Sequence, residues 1–144
     1  MIKIFGRQHS YNEPVIVIIL HDQHSHDCVS LKRELVELCR SGGNYPFLIR
    51  IVCKELESWY LGDMEAIEKA YPGFKSQKYK NKRKFRNPDY CNASDELSKI
   101  IPRFHKGKAS KTIPLHFNIP RNTSPSFKHF VAGLNRIINQ YMKT

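Results

Sequence analysis

Acidic and imidazole side chains crowd into one short stretch, His21-Asp-Gln-His-Ser-His-Asp27, and two further acids, Glu55 and Glu57, follow later in the chain. Carboxylates are hard oxygen donors that suit Mg²⁺ or Mn²⁺, which commonly bind one or two of them together with water and substrate phosphate. Asp22 with Glu55 and Glu57 therefore fits phosphodiester chemistry, where a divalent ion polarises the phosphoryl group and stabilises the leaving oxygen. The same residues also have ordinary uses. Asp22 can cap a turn, Asp27 can cap a helix, and the two Glu side chains can be surface groups. His21, His24 and His26 with Asp27 are dense enough for a transition-metal site, but their spacing matches no standard zinc pattern and such clusters also occur in solvated loops. There is no GxSxG elbow, no Ser-His-Asp order and no Walker-type loop, so neither nucleophilic hydrolysis nor P-loop ATP hydrolysis has support.

The elements that must position these residues are legible from hydrophobic pattern. Val15 to Leu20 is an unbroken apolar run, mostly β-branched, and predicts a strand buried on both faces. Asp22 and Asp27 then fall just beyond its carboxyl end, where open α/β sheets bind ligands. Ser25 or Asp27 is the expected cap of a helix from Cys28 to Arg40, with Leu31, Leu35 and Leu38 on one face and Lys32, Arg33 and Glu37 away from it. Ser41-Gly-Gly-Asn44 ends that helix. Phe47 to Cys53 predicts a second strand, parallel to the first with a right-handed crossover. Glu55 and Glu57 follow its carboxyl end, on the same sheet edge as Asp22.

Elsewhere the signals are plainer. Met1 to Phe5 predicts a short strand and Gly6 to Pro14 a loop. Asp63 predicts an N-cap for a helix to Ala70, stopped by Pro72-Gly73. Residues 75 to 91 read as a long basic loop. Asn92 or Ser94 should cap a helix to about Ile101, ended by Pro102. Ile113 to Ile119 reads as an edge strand, because Pro114 cannot sit in a central one. Ser124-Pro125 opens a final helix, whose apolar stripe is Phe127, Phe130, Val131, Leu134, Ile137, Ile138 and Tyr141. Trp59 reads as a core anchor rather than a stacking platform.

A chain of 144 residues with 40% hydrophobic content predicts one folded domain, residues 1–144. No apolar run is long enough to span a bilayer and no signal peptide is evident, which predicts a cytoplasmic protein without membrane association. Cys28, Cys39, Cys53 and Cys91 form no CxxC pair and read as free thiols. The net charge of +11 is uneven, since Lys75, Lys78, Lys80, Lys82, Arg83, Lys84 and Arg86 supply seven of the positive charges. That stretch is either the footprint of a polyanion such as nucleic acid or a solvated loop. Tyr79 and Phe85 within it are candidates for stacking on bases. Lys106 to Lys111 is a second, smaller basic stretch.

The segments His21–Cys28 and Arg50-Ile-Val-Cys-Lys-Glu-Leu-Glu-Ser-Trp-Tyr-Leu-Gly-Asp63 resemble the Toprim-like domain-of-unknown-function family 4276. Phe85-Arg-Asn-Pro-Asp89, Asn92-Ala-Ser-Asp-Glu-Leu97 and Asn122–Phe130 also resemble its pattern, so the likeness runs from Val15 almost to the end. The resemblance implies a Toprim fold, shared with primases, topoisomerases and certain nucleases. It also implies a Mg²⁺-dependent nuclease-like centre and a genetic setting beside ATPases in bacterial anti-phage or mobile-element loci. It places an Asp-x-Asp metal motif on Asp22 and position 24. Position 24 is His here, which removes one hard carboxylate and should weaken Mg²⁺ binding or shift preference toward Mn²⁺ or Zn²⁺. A Toprim domain also carries an earlier strand ending in a catalytic Glu. Only fourteen residues precede the Asp22 strand, and Glu13 stands too close to it to serve. The chain thus resembles a member lacking its first βα portion, either truncated or degenerate.

Together these readings predict an α/β fold with a small, mainly parallel sheet flanked by helices, Toprim-like in part. The leading expectation is a metal-dependent, nuclease-like protein of a bacterial defence or mobile-element system. Asp22, Glu55 and Glu57 would be catalytic. Asp22, His24, Asp27 and Glu55 would hold Mg²⁺ or Mn²⁺, and the Lys75–Arg86 cations would hold nucleic acid. The alternatives are a non-catalytic interaction subunit, docked on an ATPase or on a second copy of itself, and a protein that binds nucleic acid through charge alone.

Overall fold

A computed structural model describes residues 15–141. The strand and loop expected over Met1–Pro14, Glu13 included, lie outside the described residues. Two strands, β1 (Val17–Asp22) and β2 (Phe47–Val52), flank helix α1 (Cys28–Gly42). The strands pair in parallel, Val17 opposite Phe47 through Asp22 opposite Val52, as the strand-helix-strand pattern predicts. Asp27 caps α1, its carboxylate accepting the Ser30 amide at 2.8 Å, and Gly43, at φ 145°, ends it.

β1 is not buried on both faces. Ile18 and Leu20 remain 45% and 41% exposed. Residues paired across parallel strands share a face, so Ile18, Leu20 and Asp22 lie with Leu48, Arg50 and Val52. Helix α6 (Pro125–Tyr141) covers that face at β2, where Val52 meets Phe127, and leaves the neighbouring positions of β1 exposed. A continuous apolar run therefore overstates burial when only one of two strands carries a helix on that side.

After β2 the chain becomes helical: α2 (Glu57–Leu61), α3 (Met64–Ala70), α4 (Ala93–Ile100), α5 (Lys106–Thr112) and α6. All five residues of α2 are buried. Its Trp59 packs edge-on to Phe127 and stacks on Phe130 at 5.2 Å, and donates its indole N–H to Ser126 Oγ at 2.8 Å, so it is a core anchor as expected. The main core, around Met64, Ile67, Phe74, Phe85, Leu97, Ile101 and Ile113, joins α2 to α5. Leu56 and Phe117 pack against both this core and the Val52–Trp59–Phe127 cluster.

Two expectations are corrected. Residues 75–91 are not an extended loop but three single 3-10 turns, Ser76–Lys78, Arg83–Phe85 and Pro88–Tyr90. Phe74, Phe85 and Asp89 are buried and tie the segment down. Ile113–His116 is a 3-10 turn continuing α5 rather than an edge strand. Pro114 occupies the first turn there, where its missing N–H is tolerated.

Asp89 links the segment 75–91 to α6. It accepts the Ser124 hydroxyl at 2.6 Å, the Ser126 amide at 2.7 Å and the Ser126 hydroxyl at 3.1 Å, with 4% of its surface exposed. Ser124 Oγ in turn accepts the Phe127 amide, which caps α6 at the Ser-Pro pair as predicted. Removing the carboxylate strands three buried donors. Asp89→Ala should therefore lower unfolding free energy by about 3 kcal/mol or more, with a smaller loss for Asp89→Asn. Urea denaturation is the measurement, and a loss below about 1 kcal/mol for Asp89→Ala would contradict this role.

Candidate functional site

The carboxyl ends of β1 and β2 are stitched together by backbone hydrogen bonds, Gln23 N–H to Val52 C=O and His24 N–H to Lys54 C=O, both 2.9 Å. His24 and Lys54 adopt left-handed backbone conformations at φ 50° and 57°, which turn both chains sharply off the strands. This edge carries Asp22, Glu55 and Glu57. The imidazoles beside it are used differently. His21 Nδ1 lies 2.7 Å from the backbone oxygen of Asp22, and His24 and His26 are exposed. Asp27 is committed to capping α1, and the Ser30 amide and hydroxyl hold its carboxyl below the usual range.

Glu55 and Glu57 converge on one cation. Lys106 Nζ, from the first residue of α5, lies 3.2 Å from Glu57 Oε1 and 3.6 Å from Glu55 Oε2. Partial burial pulls the Lys106 pKa down, but hydrogen bonding and charge from Glu57, then Glu55, more than offset this and hold it above the ordinary lysine value. The other oxygen of Glu55 accepts the Ser94 amide at 2.8 Å. Asn92, in the N-cap position of α4, makes no side-chain cap. Glu55 thus caps α4 from a distant segment, where a negative charge also suits the helix dipole.

Tyr60, one turn after Glu57, feels the charges of both Glu57 and Asp22. Its phenol is pushed up to about 12, first by burial and then by the negative charges of Glu57 and Asp22. Asp22 itself is half-buried, and its carboxylate has no hydrogen-bond or ion-pair partner among the described residues. No group of three or more His, Cys, Asp or Glu side chains is close enough to hold a metal ion among the described residues. Asp22, His24, Asp27 and Glu55 therefore do not form one ligand shell. The donor set that does converge is Glu55 with Glu57. Two carboxylates are enough for Mg²⁺ or Mn²⁺ when water and phosphate complete the shell, and the Lys106 ammonium shows that a cation fits between them.

The Lys75–Arg86 cations are spread over the surface of the folded turns. Lys75 pairs with Glu68, Lys80 with Glu65 and Lys84 with Glu96. Lys82 sits over the Tyr79 ring at 4.8 Å. Lys78, Arg83 and Arg86 are exposed without a carboxylate partner among the described residues. Phe85 is 3% exposed and Tyr79 stacks on Phe74 at 5.2 Å, so neither ring is a free platform for bases.

Three functional-site features escaped sequence reasoning. Lys106 read only as part of a basic stretch, and its pairing with Glu57 depends on how α5 packs. Tyr60 stood only within the segment that carries the family resemblance. Asp63 was recognised as a cap, accepting the Ala66 amide, but it also receives a two-pronged ion pair from Arg121 at 2.7 and 3.0 Å. None of these long-range partners leaves a local spacing signal.

A parallel strand-helix-strand unit with acids along its carboxyl edge, backed by five further helices, defines a mixed α/β protein with a carboxylate-bearing sheet edge. The chain belongs to the family described as a domain of unknown function, DUF4276, whose model matches residues 7–135. Neither a curated protein nor a solved structure matches it. Among the described residues no helix is long and apolar enough to cross a membrane, and all four cysteines are free.

Two outcomes follow from the site's electrostatics. Lys106→Met removes the cation that competes for the Glu55–Glu57 pair. It should cost on the order of 1–3 kcal/mol of stability, because loss of the exposed lysine leaves the buried Glu57 carboxylate without its cation. It should also enlarge the thermal stabilisation produced by Mn²⁺, read as the shift in Tm with added metal; an unchanged shift would contradict competition at this pair. Tyr60 has a folded-state pKa above its unfolded value, so its contribution is complete below about pH 10 and is lost as pH rises toward about 12. Tyr60→Phe should therefore flatten the alkaline stability profile in that window relative to wild type, and parallel profiles would refute the assignment.

Proposed function

We propose that the protein is a metal-dependent enzyme acting on phosphodiester bonds of nucleic acid, with the Asp22–Glu55–Glu57 edge as its centre. The observation that carries this reading is Asp22: a partly buried residue at the end of a parallel strand, its carboxylate left without a protein partner among the described residues. The carboxyl edge of a parallel sheet is where such sheets bind their ligands, so an unpaired acid there is well placed to meet one. Glu55 and Glu57 would hold a Mg²⁺ or Mn²⁺ ion, and Asp22 would orient a water molecule beside it. The ion, when bound, supplies Lewis-acid polarisation of the phosphoryl oxygen. Lys106, displaced from the carboxylates, remains within reach of the site as a counter-charge for the anionic substrate. The Lys78, Arg83 and Arg86 side chains offer further phosphate contacts. A place in a bacterial defence or mobile-element system, with an ATPase partner and a Toprim relationship, belongs to this reading through the family resemblance.

The test is cleavage of plasmid DNA and of RNA with Mg²⁺ or Mn²⁺. Asp22→Ala should lose at least about a hundredfold in rate, the scale of a lost transition-state electrostatic contact. Equal cleavage by both proteins, or none with either metal, overturns the reading. A second reading, a non-catalytic interaction subunit, draws on the exposed Ile18 and Leu20 of β1, which would bury well against an ATPase or a second copy of the chain. Native mass measurement separates the two, since that reading requires a stable complex whose formation ignores Asp22→Ala.

A further inference from the structure

A groove runs along the outer edge of β2, on the side away from β1, between α1 and α6. Two adjoining hollows of 720 Å³ and 290 Å³ share Lys32, Val36, Ile49 and Arg50 in their walls and make it continuous. Its floor is aliphatic and its walls are cationic. Lys32, Arg33 and Arg40 line it from α1, Arg50 from β2 and Arg136 from α6. Among the described residues the one acid in its lining is Glu37, already paired with Arg40 at 3.1 Å.

Arg50 is built into this groove. Its Nε donates to the His129 carbonyl at 3.2 Å and its Nη1 to the Ile49 carbonyl at 3.0 Å. The guanidinium fills the space above Gly133, where a Cβ would come within 2.2 Å of Nη2. Nη2 itself has no acceptor among the described residues. A guanidinium fixed by two carbonyls, with donors to spare, is pre-organised for an oxyanion.

We propose that this groove binds the phosphate backbone of a single nucleic-acid strand. Lys32 and Arg40 are separated by roughly 12 Å of helix at 1.5 Å per residue. That span is enough for about two or three successive phosphates of an extended strand, each within reach of a long cationic side chain. A concave track with cations on both walls suits a flexible polyanion, whereas a membrane surface would need the cations to project from a flat or convex face. The groove is separate from the Glu55–Glu57 edge and deepens the proposed function by naming where a strand lies beyond the reacting bond, resting on nucleic acid as the substrate.

The experiment measures fluorescence anisotropy of a short labelled single-stranded oligonucleotide in EDTA, over a range of salt. It compares wild type, a groove variant (Lys32→Ala, Arg33→Ala, Arg136→Ala), a control of equal charge loss (Lys69→Ala, Lys99→Ala, Lys111→Ala) and Asp22→Ala. The altered groove residues sit on exposed helix faces, and circular dichroism checks that each variant folds. The groove variant should bind at least about tenfold more weakly, with a salt slope shallower by about two, at roughly 0.7 per phosphate contact. Asp22→Ala should bind as wild type. Equal losses in the groove and control variants overturn the proposal, as does unchanged binding by the groove variant or binding only to phosphatidylserine vesicles. Because binding is read without metal, these outcomes are independent of the cleavage test: cleavage that survives in a groove variant with unchanged affinity sinks the groove and leaves the catalytic reading standing.

Discussion

The architecture turns on the burial of α2, five residues with no exposed face. A helix this short leaves most of its carbonyls without intrahelical partners, and burial denies them water. The Gly62 and Asp63 amides take the Ser58 and Tyr60 carbonyls, and the segment Asn118–Ser126 supplies donors for two more. The Asn122 amide reaches the Trp59 carbonyl at 2.9 Å, and the Thr123 amide reaches the Gly62 carbonyl at 2.9 Å. Gly62 has to be glycine for this, because a Cβ there would come within 2.2 Å of Asn122 Oδ1. Arg121 clamps Asp63 immediately beyond. One polar strap thus pays the hydrogen-bond debt of a buried helix and, through Ser124 and Ser126, starts α6.

Everything at the sheet edge inherits its position from that strap. Glu57 begins α2 and Tyr60 lies one turn later, so fixing α2 fixes both relative to the ends of β1 and β2. Trp59 faces the other way, into Phe127 and Phe130, and sets where α6 crosses β2. The position of α6 then determines which strand is covered. Val52 is buried, Arg50 is threaded over Gly133, and Ile18 and Leu20 on the neighbouring strand are left exposed. The site and the groove are therefore two consequences of the same helix placement.

The parts of this structure that were legible in the sequence are those written in local pattern. The two strands, the Asp27, Asp63 and Ser124 caps, the α1 helix and the Trp59 anchor each follow from neighbouring residues. What stayed hidden depends on partners far along the chain. Glu55 caps α4 in place of Asn92, Lys106 arrives from α5, and Asp89 collects donors from Ser124 and Ser126; no spacing rule connects such positions. The Lys75–Arg86 stretch misled for a related reason. Its charge is a property of composition, but Phe74, Phe85 and Asp89 decide its shape, and Glu65, Glu68 and Glu96 neutralise part of it. Pro114 misled differently: it excludes a central strand equally well whether the segment is an edge strand or a helical turn.

The distribution of acids gives the sharpest constraint on function. The strongly basic chain has few carboxylates, and nearly all of those described are occupied. Asp27 and Asp63 cap helices, Glu37, Glu65 and Glu96 pair with basic side chains, Glu68 holds Ser76, and Asp89 holds two serines. Glu34 and Asp95 are solvated on exposed helix faces. That leaves Asp22 as the half-buried acid without a partner, with Glu55 and Glu57 sharing a lysine close by. The proposed site rests on a strand that ends in such a residue, at the edge where parallel sheets bind their ligands. The histidines around it, which make that stretch of sequence conspicuous, contribute backbone contacts and exposed rings instead.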